Sequence, residues 1–411
     1  MRCSRPMVQS VVLALWAFFY AAVSTAAAEE STLEDFIEHG GYVITQNGRL
    51  IAQFGADTPL IPASTIKIVT ALTTLELLGP SHRISTEFYL RDNKILCIKG
   101  YGDPYLISER LLEIASELKK RGLTEVESIL LDDSFFRLEG PTDGAQNSAN
   151  PYDAENSALS VNFNSVPLIK YDTGLIGSPE PQTPVLDIAR DIGSLVEPGL
   201  HRLNVSAFTG RNSNINRYRY VAELIAEQLR RQGIDVGSTY NRGLVEAGDT
   251  LIYTYLSKMT VAEMIRGCLK YSNNFIANQL FLYCGVKRFG PPATWGKGQR
   301  AVAEFLITAA GLKNRDVTVV EGSGLSRKNL ITPAAMIAVL ELFKPYSSLL
   351  SETQNTLLKS GTMTGVYGYA GYFESAGRLD PFVILLNQKS NNRERLLKLA
   401  STHYRQQAEQ N

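Results

Sequence analysis

Ser64-Thr65-Ile66-Lys67 sets a hydroxyl and an amine three positions apart at the start of an apolar run, which on a helix is one turn and one face. Serine is a weak nucleophile and needs a base beside it. A lysine serves only when it is partly neutral, and burial or nearby positive charge pushes it that way. The free N–H groups of a helix start would help to stabilise an oxyanion. From Thr65 to Leu78 the apolar side chains fall on nearly every side, so the helix is expected to be buried, with Lys67 on it. The same spacing recurs at Ser116-Glu117-Leu118-Lys119. There the neighbours are glutamate and lysine, as on a solvated face.

Two further patterns could complete such a site. Ser-x-Asn occurs at Ser148, Ser160, Ser272 and Ser390. The first lies among turn residues, the second in the middle third and the last in a polar turn. Ser272 alone stands between two amphipathic helical segments, a place that can present side chains into a cleft. Lys-[Ser/Thr]-Gly occurs once, at Lys359-Ser360-Gly361, opening a β run. Glycine there permits close approach of a ligand or another backbone.

The elements that must carry these residues can be read from punctuation and periodicity. Gly41 to Phe54 reads as a hairpin turning on Asn47-Gly48. Gly79-Pro80 stops the Thr65–Leu78 helix. From about Glu87 the texture is β-rich: Phe88 to Leu90, Lys94 to Ile98, Ser128 to Leu131, Ala158 to Phe163 and stretches within 165–210. Two helices lie among them, Glu109 to Lys120 with Ser108 as cap and Tyr220 to Arg231. A turn-rich loop covers 139–156. Thr260-Val261-Ala262-Glu263 is a capping box, and the helix it starts ends near Lys270. A second helix, Phe275 to Leu282, comes after the turn at Ser272. Thr332-Pro333 opens another helix. Strands return at Lys359 to Thr364, Gly365 to Phe373 and Pro381 to Asn387, before a last helix at Asn392 to Gln407. This order implies an α+β fold: one domain from 29–85 and 257–411, interrupted by a β-rich α+β insert over 86–256.

With 411 residues, 41 basic and 41 acidic side chains and 44 % apolar residues, the chain is long enough for large cores. It lacks the basic excess of a nucleic-acid binder. Arg2 and Arg5, the apolar Val11 to Val23 and Ala26-Ala27-Ala28 read as a secretory signal peptide over 1–28. No later stretch is long and apolar enough to span a bilayer. Export puts Cys97, Cys268 and Cys284 in an oxidising compartment. Cys268 and Cys284 either pair or stay as buried thiols. His39, His82, His201 and His403 are scattered without metal-ligand spacing, and no phosphate or dinucleotide glycine pattern is present. No metal and no cofactor is expected.

Taken in order, Ser-x-x-Lys on a buried helix, Ser-x-Asn on an interhelical turn and Lys-Ser-Gly on a strand form a specific set. The chain resembles the penicillin-recognising serine hydrolases. Within them it is similar to the low-mass D-Ala-D-Ala carboxypeptidase/endopeptidases with a large insert, for which the 208-residue separation of Ser64 and Ser272 leaves room. Gly100-Tyr101-Gly102-Asp103-Pro104, Leu131-Asp132-Asp133-Ser134, Ser157 to Asn162 and Glu321 to Arg327 look like stretches of that family. The resemblance implies a β-lactamase/transpeptidase-like fold, with an antiparallel sheet flanked by helices and an all-helical part. It also implies a periplasmic enzyme acting on peptidoglycan stem peptides through an acyl-serine, acylated by β-lactam antibiotics. Ser64 would be the nucleophile and Lys67 its base. Ser272 would relay a proton, and Asn274 would hold Lys67 and the substrate amide. Lys359 would supply positive potential. Ser360 and Thr362 would meet the terminal carboxylate beside Gly361. The N–H groups of Ser64 and Thr362 would form the oxyanion hole. Arg327 would contact the free end of the stem peptide, and Asp153 would bind its amine.

Two alternatives stand beside this reading. One is a β-lactamase or esterase on the same scaffold, for which no dedicated deacylating base is marked. The other is a non-catalytic wall-binding relative, which would not need the intact set. The chain departs from the family in having Ser360 where threonine is commoner. The stretch between Arg327 and Lys359 is also short, with a single helix, and the middle third is trimmed.

Overall fold

The computed structural model describes residues 32–146, 148–208, 213–353, 356–375 and 377–410; the expected signal peptide lies outside them. Glu34–Phe36 form one turn of 3-10 helix. Ile37–Asn411 make up a separate compact unit, which carries every further element.

Strands β1 (Gly40–Gln46) and β2 (Arg49–Phe54) form the expected hairpin. Its turn puts Asn47 and Gly48 at φ 53° and 72°, the left-handed pair that suits the twist of the flanking strands. Every residue of β1 is buried, as an interior strand paired on both sides. A six-stranded sheet runs β13-β14-β15-β16-β1-β2, with β13 (Ser351–Thr353), β14 (Thr356–Met363), β15 (Val366–Ser375) and β16 (Arg378–Leu386) from the far end of the chain. All of its pairings are antiparallel.

Helix α1 (Lys67–Leu78) follows, and all its residues from Lys67 to Leu75 are buried. The chain then enters a second body of structure at β3 (Ser85–Arg91) and leaves it by the neighbouring β10 (Thr250–Leu256). Between them come β4 (Ile95–Gly100), α2 (Ser108–Lys120), β5 (Glu125–Asp132), β6 (Ser165–Lys170), β7 (Ile176–Gly177), α3 (Asp187–Ser194), β8 (Gly199–Asn204), α4 (Ser213–Arg231) and β9 (Asp235–Arg242). One sheet is ordered β10-β3-β4-β5-β9 and a smaller one β7-β6-β8. The rest of the chain supplies α5 (Val261–Tyr271), α6 (Asn274–Phe289), α7 (Trp295–Ala310), β11 (Val317–Thr318), β12 (Leu330–Ile331), α8 (Pro333–Phe343) and, after the last strand, α9 (Arg393–Gln410).

Two hydrophobic cores form. Ile66, Leu72, Met264, Leu280, Met336 and Tyr372 belong to one, and Phe88, Leu111, Ile129, Leu168, Tyr220 and Leu224 to the other. The mixed α+β class, with a wholly antiparallel six-stranded sheet, agrees with the sequence expectation. Local readings fail in several places. The expected strand at Ala158 to Phe163 is absent: Asn162, Phe163 and Asn164 all have φ between 47° and 59°, a conformation that cannot continue a ladder. Nor does Ser108 cap α2. Ile107 precedes the helix without a side-chain cap, and the Asn162 carboxamide oxygen accepts the Ser108 N–H instead. Asn162 thus does both jobs, and its partner is 54 residues away. Helix α4 also starts earlier than Tyr220, and the 165–210 stretch contains α3 beside its strands. Of the two fates for the thiols, Cys97, Cys268 and Cys284 take the buried, unpaired one. No described helix is long and apolar enough to cross a membrane.

Candidate active site

Ser64 sits in a 3-10 turn, Ala63–Ile66, that leads directly into α1. Ala63 before it is held at φ 46°, an uncommon backbone for a residue with a Cβ and a form of strain found near reactive groups. One turn on, Lys67 is 1 % exposed. Its Nζ lies 2.9 Å from Ser64 Oγ, 2.8 Å from Asn274 Oδ1 and 2.5 Å from the Ser323 carbonyl oxygen. Burial pushes the Lys67 amine down to about 8, while Cys268 and Glu321 pull the other way. A nitrogen so placed can take the serine proton at mildly alkaline pH.

The Ser323 carbonyl is aimed by a residue to which the sequence pattern gave no role. Glu321 is fully buried, and its carboxylate accepts from the N–H groups of Ser323, Gly324 and Ser326 and from the Ser323 hydroxyl. Asn278 and Asn329 donate to it as well. A buried charge needs this degree of compensation. The available signal was a carboxylate directly before Gly-Ser-Gly, small residues whose N–H groups can fold back onto it.

The second segment arrives on helix ends. The Thr260–Glu263 capping box opens α5, as its spacing predicts. Ser272 ends the helix at φ 53°, and Asn273 caps α6 by accepting from the Ile276 N–H. Asn274, the first residue of α6, faces Lys67 with its oxygen and donates from Nδ2 to the Tyr152 carbonyl. These opposed partners fix the orientation of its amide. Ser272 is partly exposed, and its hydroxyl bonds to none of the described residues. It lines, with Tyr105, Tyr152, Phe163 and Asn274, a cleft of about 540 Å³.

The third segment is β14. Its neighbour β13 covers only Thr356 to Leu358, so from Lys359 onward the outer edge of β14 is open. An extended peptide could pair along that edge. Gly361 explains its own residue type: a Cβ there would lie 2.5 Å from the Pro62 carbonyl oxygen and 3.2 Å from the Thr65 nitrogen. Only a glycine lets β14 touch the turn that carries Ser64. Lys359 is 4 % exposed, and its Nζ donates to the Ser360 carbonyl. Burial first, and then the neighbouring Lys67, press its amine down to about 7. Ser360 is partly exposed and Thr362 exposed. Arg393, at the start of α9, donates to the Thr362 hydroxyl and the Gly361 carbonyl. No sequence pattern pointed to it.

The structure thus brings Ser64, Lys67, Asn274, Lys359 and Gly361 together, with Ser272 on the adjoining turn. Arg327 is exposed and donates to the Thr364 carbonyl, just beyond the end of β14. Asp153 is 4 % exposed and its Oδ2 accepts from the Ser148 N–H and hydroxyl. That carboxylate braces its own loop, which reaches the site through the Tyr152 carbonyl. Of the other Ser-x-Asn serines, Ser148 is engaged locally by Asp153 and Ser160 by Ser157, while Ser390 donates to the distant Glu38. Among the described residues no group of His, Cys, Asp and Glu could hold a metal ion.

Comparison with known proteins agrees with this geometry. The profile of the D-Ala-D-Ala carboxypeptidase 3 (S13) family matches residues 24–180 and 211–358. The chain is 26 % identical to the D-alanyl-D-alanine carboxypeptidase DacB of Haemophilus influenzae, over 84 % of each chain. It is also 26 % identical to the D-alanyl-D-alanine carboxypeptidase of Actinomadura, over 87 % of this chain and 71 % of that one. The crystal structure of penicillin binding protein 4 (dacB) from Haemophilus influenzae superposes with a TM-score of 0.69 at 21 % identity, covering 90 % of this chain and 96 % of that one. The fold is therefore shared, and the profile match together with the serine–lysine pair settles the family: the chain belongs to the D-Ala-D-Ala carboxypeptidase 3 (S13) family of serine peptidases.

Proposed function

We propose that this protein cleaves the D-Ala-D-Ala bond of peptidoglycan stem peptides at Ser64, in the periplasm, after export on residues 1–28. The single observation that carries the assignment of roles is the 2.9 Å contact between the buried Lys67 amine and the Ser64 hydroxyl.

Neutral Lys67 takes the Ser64 proton as Oγ attacks the carbonyl of the penultimate D-alanine. The oxyanion is held by the N–H groups of Ser64 and Thr362. The C–N bond breaks, and the proton passes to the departing amine through Ser272. Free D-alanine leaves and an acyl-serine remains. Water then attacks the ester, Lys67 again taking a proton, and Ser64 is regenerated. Asn274 fixes Lys67 between attacks and meets the substrate amide. Lys359, Ser360 and Thr362 receive the terminal carboxylate beside Gly361. A substrate carboxylate next to Lys359 raises its pKa, so the bound complex carries the ammonium that the empty site disfavours. Arg327 meets the free end of the peptide. Asp153 supports the wall that carries Tyr152, and its second carboxylate oxygen, buried and not taken by Ser148, is left for the peptide's amine. The catalytic domain spans 29–85 and 257–411, and 86–256 is the insert. β-Lactams acylate Ser64 because they offer a carboxylate and a strained amide to the same groups.

Release of D-alanine from a pentapeptide ending in D-Ala-D-Ala, together with covalent labelling by fluorescent penicillin, tests the proposal. Both should be present and both should vanish in Ser64→Ala. Rapid nitrocefin turnover without D-alanine release would point to a β-lactamase instead, and neither activity to a non-catalytic relative.

A further inference from the structure

We propose that Arg393 is a specificity-determining residue: its guanidinium holds the Thr362 hydroxyl so that the hydroxyl proton is presented to the terminal carboxylate of the substrate. The inference rests on the reading of Thr362 as a carboxylate contact, and adds the group that orients it.

Arg393 Nη1 lies 3.0 Å from the Gly361 carbonyl oxygen and 2.5 Å from Thr362 Oγ1. A guanidinium has donors and no acceptor, and a threonine hydroxyl has one proton. Facing Arg393, Thr362 Oγ1 must therefore use a lone pair. Its proton is left to point elsewhere, and the residue is exposed, on the open edge of β14. An anion arriving there finds a hydroxyl already turned as a donor, and a charge-assisted bond of that kind is among the stronger ones.

Arg393 is itself fixed. Its guanidinium carbon sits 4.9 Å from the centre of the Tyr369 ring. Tyr369 is the cross-strand partner of Ser360, and its hydroxyl donates to Glu394. The Arg393 Nε is 3.9 Å from the same Glu394. These contacts hold the planar group against β14 rather than leaving it to sweep through solvent. Arginine also keeps its charge at every working pH. The neighbouring cation does not: Lys359 is pressed to about 7 by burial, then Lys67, with Cys268 opposing and Arg393 adding to the depression. Together with Arg327 on the Thr364 carbonyl, Arg393 supplies guanidinium charge at this end of the strand.

The test compares a stem pentapeptide ending in the free D-Ala-D-Ala carboxylate with the same peptide capped as its C-terminal amide. Wild type, Arg393→Ala, Arg393→Lys, Thr362→Val and the Arg393→Ala/Thr362→Val pair are assayed for kcat/KM on both. Arg393→Ala should lose at least tenfold more on the acid than on the amide, with the excess in KM. Arg393→Lys should recover part of that discrimination. In the double variant the acid-to-amide ratio should fall no further than in Thr362→Val alone. Equal losses on both substrates would mean that Arg393 only supports the strand, and independent, multiplying effects would mean that it does not act through Thr362. Either result overturns the inference. Wild-type protein that releases no D-alanine overturns the functional reading instead, so the two failures are told apart.

Discussion

The chain contains two Ser-x-x-Lys stretches, and the fold treats them in opposite ways. Lys67 is buried with three acceptors around Nζ, one of them the serine one turn earlier. Lys119, near the end of α2, is half-buried along its stem, and its ammonium donates to the Gly233 carbonyl in the turn that ends α4. That is where a cation is welcome, since helix ends leave carbonyls unsatisfied. Ser116 makes no bond to Lys119 among the described residues. The spacing is identical, so spacing is not what makes a nucleophile. The difference is desolvation: one amine is forced toward neutrality and aimed at a hydroxyl, while the other reaches a carbonyl at a helix end and ties two helices together.

Experiments can break or sharpen this contrast. The largest expected effect is from Ser64→Ala, which should abolish penicillin labelling and lower D-alanine release by at least about 10³-fold. Lys67→Ala should cost about 10²–10⁴-fold in acylation rate with an unchanged circular dichroism spectrum, the usual worth of general-base catalysis. Full-rate labelling in this variant would remove Lys67 from its role. Asn274→Ala should lower acylation about 10–100-fold, because it removes one bond to a charge-bearing amine.

The pH profile is set by the Lys67 value of about 8. The base must be neutral, so acylation of a neutral ester should rise tenfold per pH unit below about 8 and level off above it. With a carboxylate substrate a falling limb should appear as well, because Lys359 must be protonated to hold the anion. A flat profile from pH 6 to 9 would contradict the desolvated amine. The smallest expected effects are those of Ser116→Ala and Lys119→Ala. Both should keep wild-type activity, and Lys119→Ala should change stability by no more than about 0.5 kcal/mol in a denaturant titration.

Much of the frame was legible because its signals are local. Asn47-Gly48 demands left-handed backbone, Thr260 and Glu263 cap a helix reciprocally, and Pro333 comes directly after a capping threonine. The failures are where a distant partner overrides the neighbours. Asn162 reads as the end of a strand, yet it turns left-handed to bond Ser108 and Tyr220.

The sequence by itself determined the ingredients: a serine and a lysine on one face of an apolar helix, a Ser-Asn-Asn turn between helices, and a lysine before a glycine on a strand. Chain order and residue type suffice for these, because turns, caps and periodicity act over a few residues. Only the tertiary structure decided which lysine would be stripped of water. It also decided that Glu321 would aim a carbonyl at Lys67, and that Arg393 would reach Thr362 from another element. Those outcomes depend on burial and on contacts between elements 31 and 256 residues apart in the chain, and no local pattern encodes the dielectric in which an amine comes to rest.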